Sequence, residues 1–445
     1  MADLALPAPA TARDAAVDRA DKGPGRMRRI AAHLTEANVV VVTALSFFVG
    51  LCFGALLIIV TTPALLHLWG SIFSQSIGNF FPHLWYVIRF NAAAIWGNYL
   101  QLFTGSIFDP RSVWAAIQHP GNKSLWASAL APMSETLTYA TPLILAGLGI
   151  SIGFRTSLFN IGGAGQIIAG AIMATWVATS VSLPLYALLP LEMAAGILGG
   201  LVVAGFAGVL KAYSGAHEVI TTMMLNKIMY YLLIYLLIHP PIQQPGSSDG
   251  RSKQIPAAGT LPHLLNWISP ALRVNWGLVI ALCAAVLVWW FMERGTAGFR
   301  FRVVGANPDA ARTAGINSKH IIVLALCVSG ALVGLAGMTQ VSGVNGYMDS
   351  TFGGTIGFDA ITVALLARNK PIGVVLGAIL FGALVAGGHQ MQAFAPGNLP
   401  IDYSLAQVIQ AVIVFCVATP ALIIEVFRLK DAGAFTSAVK TQGWA

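Results

Sequence analysis

Charge is scarce in this chain: Asp, Glu, Lys and Arg make up 9 % of its 445 residues. An ordinary soluble domain carries about a quarter, so that class is excluded. Cysteine is almost absent. Its four copies, Cys52, Cys283, Cys327 and Cys416, sit inside apolar runs with no CxxC pair, which fits core packing and not a disulfide framework, redox pair or zinc site. No GxxxxGK[ST] phosphate loop occurs, so ATP is not hydrolysed here by that route. The nine histidines include no pair three or four residues apart that would hold a metal on a helix. No DDxxD-like acidic cluster offers a pyrophosphate–Mg²⁺ site. A cleavable signal peptide is not expected, because a polar tail of about 36 residues precedes the first apolar run.

What the chain has in abundance is apolar sequence, with 56 % hydrophobic residues and 46 glycines. This is the composition of an all-α integral membrane protein, with glycine for close helix packing and helix breaks. Apolar segments of spanning length fall at about 38–60, 134–154, 158–180, 185–210, 219–239, 276–292, 320–341, 347–367, 371–389 and 403–426. Ten spans put both termini on one side of the membrane. A cytosolic N-terminus places eighteen lysines and arginines inside and only Arg89, Arg111, Lys123, Arg251, Lys253 and Arg273 outside. The positive-inside rule therefore assigns both termini to the cytosol. The net charge of +8 reports this distribution and not a nucleic-acid partner. Residues 1–36 read as a disordered cytosolic tail, 37–430 as the membrane domain and 431–445 as a second cytosolic tail. The Trp-rich stretch 62–130 reads as an extracytoplasmic insertion lying partly in the interface, with an additional helix pair as the alternative. The proline-rich 240–275 stretch reads as an outer loop.

Two segments occupy matching places in spans two to five and seven to ten, which run in opposite senses. They are Phe159-Asn-Ile-Gly-Gly-Ala-Gly-Gln166 and Phe352-Gly-Gly-Thr-Ile-Gly-Phe-Asp359. Each is a glycine-interrupted stretch leading into a short apolar helix, with breaks at Gly162–Gly163 and Gly353–Gly354. Inverted repeats with matching broken helices point to a transport site near the midplane. Asp359 lies within a span, where a bare carboxylate costs about 2.5–3.5 kcal/mol on insertion scales, so it faces protein or water. It reads equally as a helix cap or as a pathway residue, and Asn160 and Gln166 share that ambiguity. Glu218, Thr222 and Asn226 recur every four residues and form a polar seam on one helical face. Lys227 either snorkels to the interface or pairs with an acid.

The stretch 294–319 is a basic cytosolic loop with the makings of a small helix. Asn307 suits the cap, Pro308 the first helical position, Asp309 the positive end of the dipole and Gly315 the close. Ala311 and Arg312 lie inside it. A capped helix held outside the bilayer is a docking element, and it calls for a cytosolic partner.

Four blocks taken together resemble the permease subunits of bacterial ABC importers of the ribose and branched-chain amino-acid type. They are the 159–166 block, Ala216-His-Glu-Val-Ile-Thr-Thr-Met-Met-Leu-Asn226, Gly305-Ala-Asn-Pro-Asp-Ala-Ala-Arg312 with Ala314-Gly-Ile316, and Gly357-Phe-Asp-Ala-Ile-Thr-Val-Ala-Leu-Leu366 with Pro371-Ile-Gly373. The closer likeness is to the nucleoside branch that works with basic-membrane-lipoprotein binding proteins. The long segment before Pro142 is similar to the larger of its two paired permeases. The resemblance implies a multi-pass protein of the bacterial cytoplasmic membrane, a second permease subunit forming a heterodimer, separate ABC ATPase subunits, and an extracytoplasmic binding lipoprotein. It implies ATP and Mg²⁺ on the ATPase and no cofactor or metal on this chain. Asn307, Pro308, Asp309, Ala311, Arg312 and Gly315 become the coupling helix; Asn160, Gln166, Asn226 and Asp359 become residues near the solute route. Lys227 departs from the family, which tends to have an aromatic residue there. A nucleoside is the expected solute, with sugars, riboflavin-like molecules and amino acids behind it. An ion-coupled secondary transporter would share the repeat without needing the docking helix, and a membrane transferase would require a polar catalytic cluster that the sequence lacks.

Overall fold

The computed structural model describes residues 39–74, 77–246, 250–393, 403–419 and 425–427. The two expected cytosolic tails lie outside the described residues. The described helices are α1 (Val39–Thr61), α2 (Pro63–Gly70), α3 (Ile77–Ser106), α4 (Pro110–Gln118), α5 (Lys123–Arg155), α6 (Gly163–Ser180), α7 (Leu185–Val209), α8 (Glu218–Ile238), α9 (Gly277–Arg294), α10 (Thr296–Ala306), α11 (Pro308–Thr313), α12 (Ser318–Gln340), α13 (Ile356–Leu366), α14 (Pro371–Ala393) and α15 (Tyr403–Ala418). Among the described residues the only β pairing is two isolated bridges, Gln243 with Ser252 and His263 with Asn275. A bilayer offers no water to unpaired backbone groups, so helices are the form that apolar spans of this length take.

Among the described residues, seven helices are long and apolar enough to cross a membrane, namely those carrying α1, α5, α7, α8, α9, α12 and α14. The other three anticipated segments are shorter as helices. α6 and α13 begin only after the glycine breaks, and α15 has 16 residues. At α6 and α13 the breaks divert residues into turns, leaving helices of 18 and 11 residues.

The chain divides into two compact units, one formed by 1–54 and 411–445 and the other by 55–410. In the first, Gly50 lies against Ile413, where a Cβ would come within 2.7 Å of Cγ1. The second unit holds the repeat. α5 is its central helix, with 83 % of its most apolar stretch buried, against 11 % for α8. α7 crosses α12 where Gly200 meets the Gly330 carbonyl and Gly334 meets that of Gly196, approaches that any Cβ would block.

The repeat is visible in who touches whom. α5 packs on α12 through Gly149 and Ser329, α6 on α12 through Ile167 and Gly337, and α13 on α5 through Ala360 and Gly147. Each broken helix therefore packs on the long helix that opens the other half, as a pseudo-two-fold axis in the membrane plane requires.

The 62–130 stretch is helical throughout most of its length, and α3 alone has 30 residues, about 45 Å at 1.5 Å per residue. α3 runs parallel to α14, because Leu102 meets Gly387 and Gly105 meets Gln390 three residues further along both. The Thr136 hydroxyl donates to the Ser106 carbonyl and ties its end to α5. The 250–275 loop folds over the residues after α12. Ser252 N–H donates to Met348 O at 2.9 Å, Ile255 N–H to Gly346 O at 2.9 Å and Leu261 N–H to Ser342 O at 2.9 Å. Arg273 joins Glu135 at 3.0 Å.

Candidate functional site

The first break begins where α5 ends. Ser157 takes a left-handed φ of 55°, and the chain turns back through Leu158 to Gly162 before α6 starts. Turning inside apolar surroundings exposes backbone groups that need partners, and three amide side chains supply them. Asn160 and Gln166 exchange two hydrogen bonds, Nδ2 to Oε1 at 3.0 Å and Nε2 to Oδ1 at 2.9 Å. Asn160 also donates to Ser329 Oγ at 2.9 Å and accepts from Gly162 N–H at 3.0 Å. From α8, Asn226 accepts from Gly165 N–H at 2.8 Å and donates to Ile161 O at 2.9 Å. Asn160 and Gln166 are thus buried at the turn itself. They hold the break and do not line its cleft, whereas Asn226 does both.

The second break runs through Ser350 to Thr355, with Gly353 at φ 85°. Thr355 donates its hydroxyl to Asp359 Oδ2 at 2.6 Å in the first turn of α13. Asp359 is half-buried and lies beside the cleft wall without belonging to it. The two breaks touch. A Cβ on Gly163 would stand 3.1 Å from the Gly357 carbonyl, and one on Gly357 would collide with Ala164. A side chain at Gly357 has no room, which makes glycine a geometric requirement there, and one at Gly163 would be tightly packed.

Next to this contact opens a cleft of about 570 Å³. Its walls are Ala164 and Ile168 from α6, Met223, Met224, Asn226, Lys227 and Tyr230 from α8, and Ser350 to Gly354 with Phe358 from the second break. Lys227 is exposed to this space. Lys227 is anticipated from the sequence to snorkel or pair with an acid, and the structure adds that it lines the cleft. Phe352 and Phe358 lie in the glycine-broken segment that the sequence singled out, whereas Tyr230 had no sequence signal beyond an ordinary apolar residue.

At this same C-terminal end of α5, the loop helix forms as its residues dictate. Asn307 Oδ1 accepts from Asp309 N–H at 2.9 Å and Ala310 N–H at 3.0 Å, Pro308 takes the first position, and Gly315 closes it at φ 76°. Ala311 is buried while Asp309 and Arg312 project outward. The end of α10, which leads into this helix, is bonded to the first break. Ser157 Oγ donates to Gly305 O at 2.6 Å, and Gly305 packs on Thr156 so closely that a Cβ would come within 2.9 Å of its Cα. Arg155 reaches Glu293 at 2.7 Å and the Asn369 carbonyl at 2.8 Å, joining the α9 end and the α13–α14 turn to the same point. Displacing the loop helix would therefore pull on both halves of the repeat.

A family model described as "Branched-chain amino acid transport system / permease component" matches residues 133–418. The chain belongs to this permease family. The permease is 34 % identical over 324 residues to the guanosine ABC transporter permease protein NupP of Bacillus subtilis, covering 71 % of this chain and 90 % of that protein. It is 34 % identical over 334 residues to the nucleoside ABC transporter permease protein NupB of Lactococcus lactis subsp. cremoris, covering 73 % and 90 %. It is also 34 % identical over 294 residues to the glucose ABC transporter permease protein TsgB13 of Haloferax volcanii, covering 64 % and 76 %. The permease is accordingly a multi-pass membrane component of an ABC transporter, and the secondary-transporter and transferase readings fall away.

Proposed function

We propose that this chain is the membrane-spanning subunit of an ATP-driven importer of nucleosides, with the solute passing the cleft at the facing breaks. The observation that carries the reading is the make-up of that cleft. Tyr230, Phe352, Phe358 and the two methionines offer flat and polarizable surface for a base, and Asn226, Lys227, Ser350 and Thr351 offer partners for hydroxyls. Relatives named for guanosine and nucleoside transport support the same solute class.

The basic residues place the termini and α11 in the cytosol. There an ABC ATPase subunit, carrying ATP and Mg²⁺, grips Asn307 to Gly315; this chain binds neither. The exposed face of α8 receives a second, different permease subunit, which closes the cleft from the other side. The outer ends of 62–130 and 240–275 receive the solute-loaded lipoprotein. Arg251 stacks over Tyr347 at 3.4 Å and Lys253 donates to Pro241 O at 3.0 Å, so both are already oriented there.

Vesicles holding the two permeases, the ATPase and the lipoprotein should take up guanosine on ATP addition, with competition from other nucleosides and none from hexoses. The glucose permease relative favours a sugar as the second reading, and hexose competition with no nucleoside competition would establish it. Without the lipoprotein, calorimetry should detect only weak nucleoside binding, since a sparse set of polar partners does not discriminate strongly. Micromolar or tighter affinity would show that the membrane chain itself selects the solute.

A further inference from the structure

A second cleft, of about 840 Å³, lies beside α11 between the C-terminal end of α9, α10 and the N-terminal end of α12. Arg294, Arg300, Arg302 and His320 line it against a single carboxylate, Glu293, which Arg155 already holds at 2.7 Å. Nη1 of Arg302 is buried with no hydrogen-bond partner. That nitrogen is covered by protein, and the guanidinium groups open to the cleft are those of Arg294 and Arg300, both exposed. The start of α12, capped by Asn317, opens on the same space and adds the positive end of a 23-residue helix. Together these features make an anion site, and planar guanidinium pairs suit phosphoryl oxygens best.

The source of the phosphate follows from what adjoins the cleft. Leu282, Val286 and Trp289 or Trp290 recur at helical spacing on α9, are exposed, and lead down to Glu293 and Arg294 at the mouth. Phe299 is exposed at the mouth as well. An apolar stripe ending in tryptophan and then arginine is the profile of a membrane interface. An acidic protein partner from the cytosol would account for the arginines and leave the stripe without an occupant.

We propose that this cleft binds the phosphate headgroup of an anionic phospholipid of the cytosolic leaflet, with its acyl chains along the exposed face of α9. The headgroup then sits between α10 and the Ala314–Asn317 turn that follows α11, touching the loop that links α11 to α12. The inference rests on the side assigned by the basic residues and not on the identity of the transported solute.

Thermal unfolding of the detergent-purified permease–ATPase complex tests it, with short-chain phosphatidylglycerol, phosphatidylcholine of equal chain length, or inorganic phosphate added in separate titrations. Phosphatidylglycerol alone should raise Tm. The Arg294→Gln/Arg300→Gln variant, which alters two exposed side chains and so should fold, should weaken the apparent lipid affinity by roughly fivefold per removed cation. Arg111→Gln, which alters an arginine lining a different cleft, should retain the response. An equal response to phosphatidylcholine, an equal response to inorganic phosphate, or an undiminished phosphatidylglycerol response in the double variant would each overturn the proposal.

Discussion

The Asn160–Gln166 pair concentrates the polar demand of the first break in two side chains, each satisfying the other. Asn160→Leu strands both polar atoms of Gln166 and the Gly162 N–H in a buried site, at about 1–3 kcal/mol for each group left unmade. The variant complex should melt markedly earlier, and Asn160→Leu/Gln166→Leu should lose less than the two single changes added together. Additive losses measured by thermal unfolding would mean that the amides act separately. Lys227 presents a different case, because its ammonium faces the cleft and not a buried lock. If it meets a solute hydroxyl, Lys227→Met should lower uptake about tenfold or more, since a charge-assisted hydrogen bond contributes about 1.5–3 kcal/mol. Expression and melting temperature should stay unchanged, and wild-type uptake by this variant would take Lys227 out of the route.

Among the elements, α11 and its link to the first break carry the coupling argument. Asn307→Ala removes a cap worth about 0.5–2 kcal/mol of local helix stability and should weaken coupling. Ala311→Pro removes the Ala311 N–H to Asn307 O bond of 3.0 Å and should abolish both transport and substrate-stimulated ATP hydrolysis while the chain still inserts. Gly305→Val should separate the two activities, because it forces α10 away from Thr156 and leaves α11 itself intact. ATP hydrolysis should then continue with little uptake, and normal uptake would show that force reaches the breaks by another path. α3 makes a topological prediction. Parallel to α14, which begins after Lys370, it should cross the membrane outward. In a chain freed of its own cysteines, a cysteine at Asn79 should react only with reagent on the cytosolic side and one at Asp109 only with reagent outside. Labelling of both from outside would make α3 an interfacial helix.

At the scale of the whole permease, the contact between Gly163 and Gly357 is the point through which the halves act on one another. A side chain at Gly357 has no room, so Gly357→Val should push α6 and α13 apart and block transport with only modest loss of expression. Cleft cysteines at Thr351 and Tyr230 should change reactivity between nucleotide-free and ATP-bound complexes if the breaks move. Unchanged reactivity at both would put the moving part elsewhere.

The membrane class, the helical character, the short capped helix at Pro308–Thr313 and the two breaks were legible in the residues themselves. Each depends on local chemistry: long apolar runs, an Asn-Pro-Asp start with a glycine close, and paired glycines interrupting a span. Tertiary structure alone separated the roles of the polar residues. Asn160, Gln166 and Asn226 are the same chemistry in the sequence, yet two are spent on buried backbone and the third also lines a cleft. It alone made α3 a 30-residue companion of α14, since its mixed polar and aromatic sequence carries no strong spanning signal and its place comes from close contacts at Gly105 and Gly387. The basic cleft beside α11 is partly of the same kind. Its arginines already stand together in the basic 294–319 stretch, and what the packing of α9, α10 and the start of α12 adds is the space that they line.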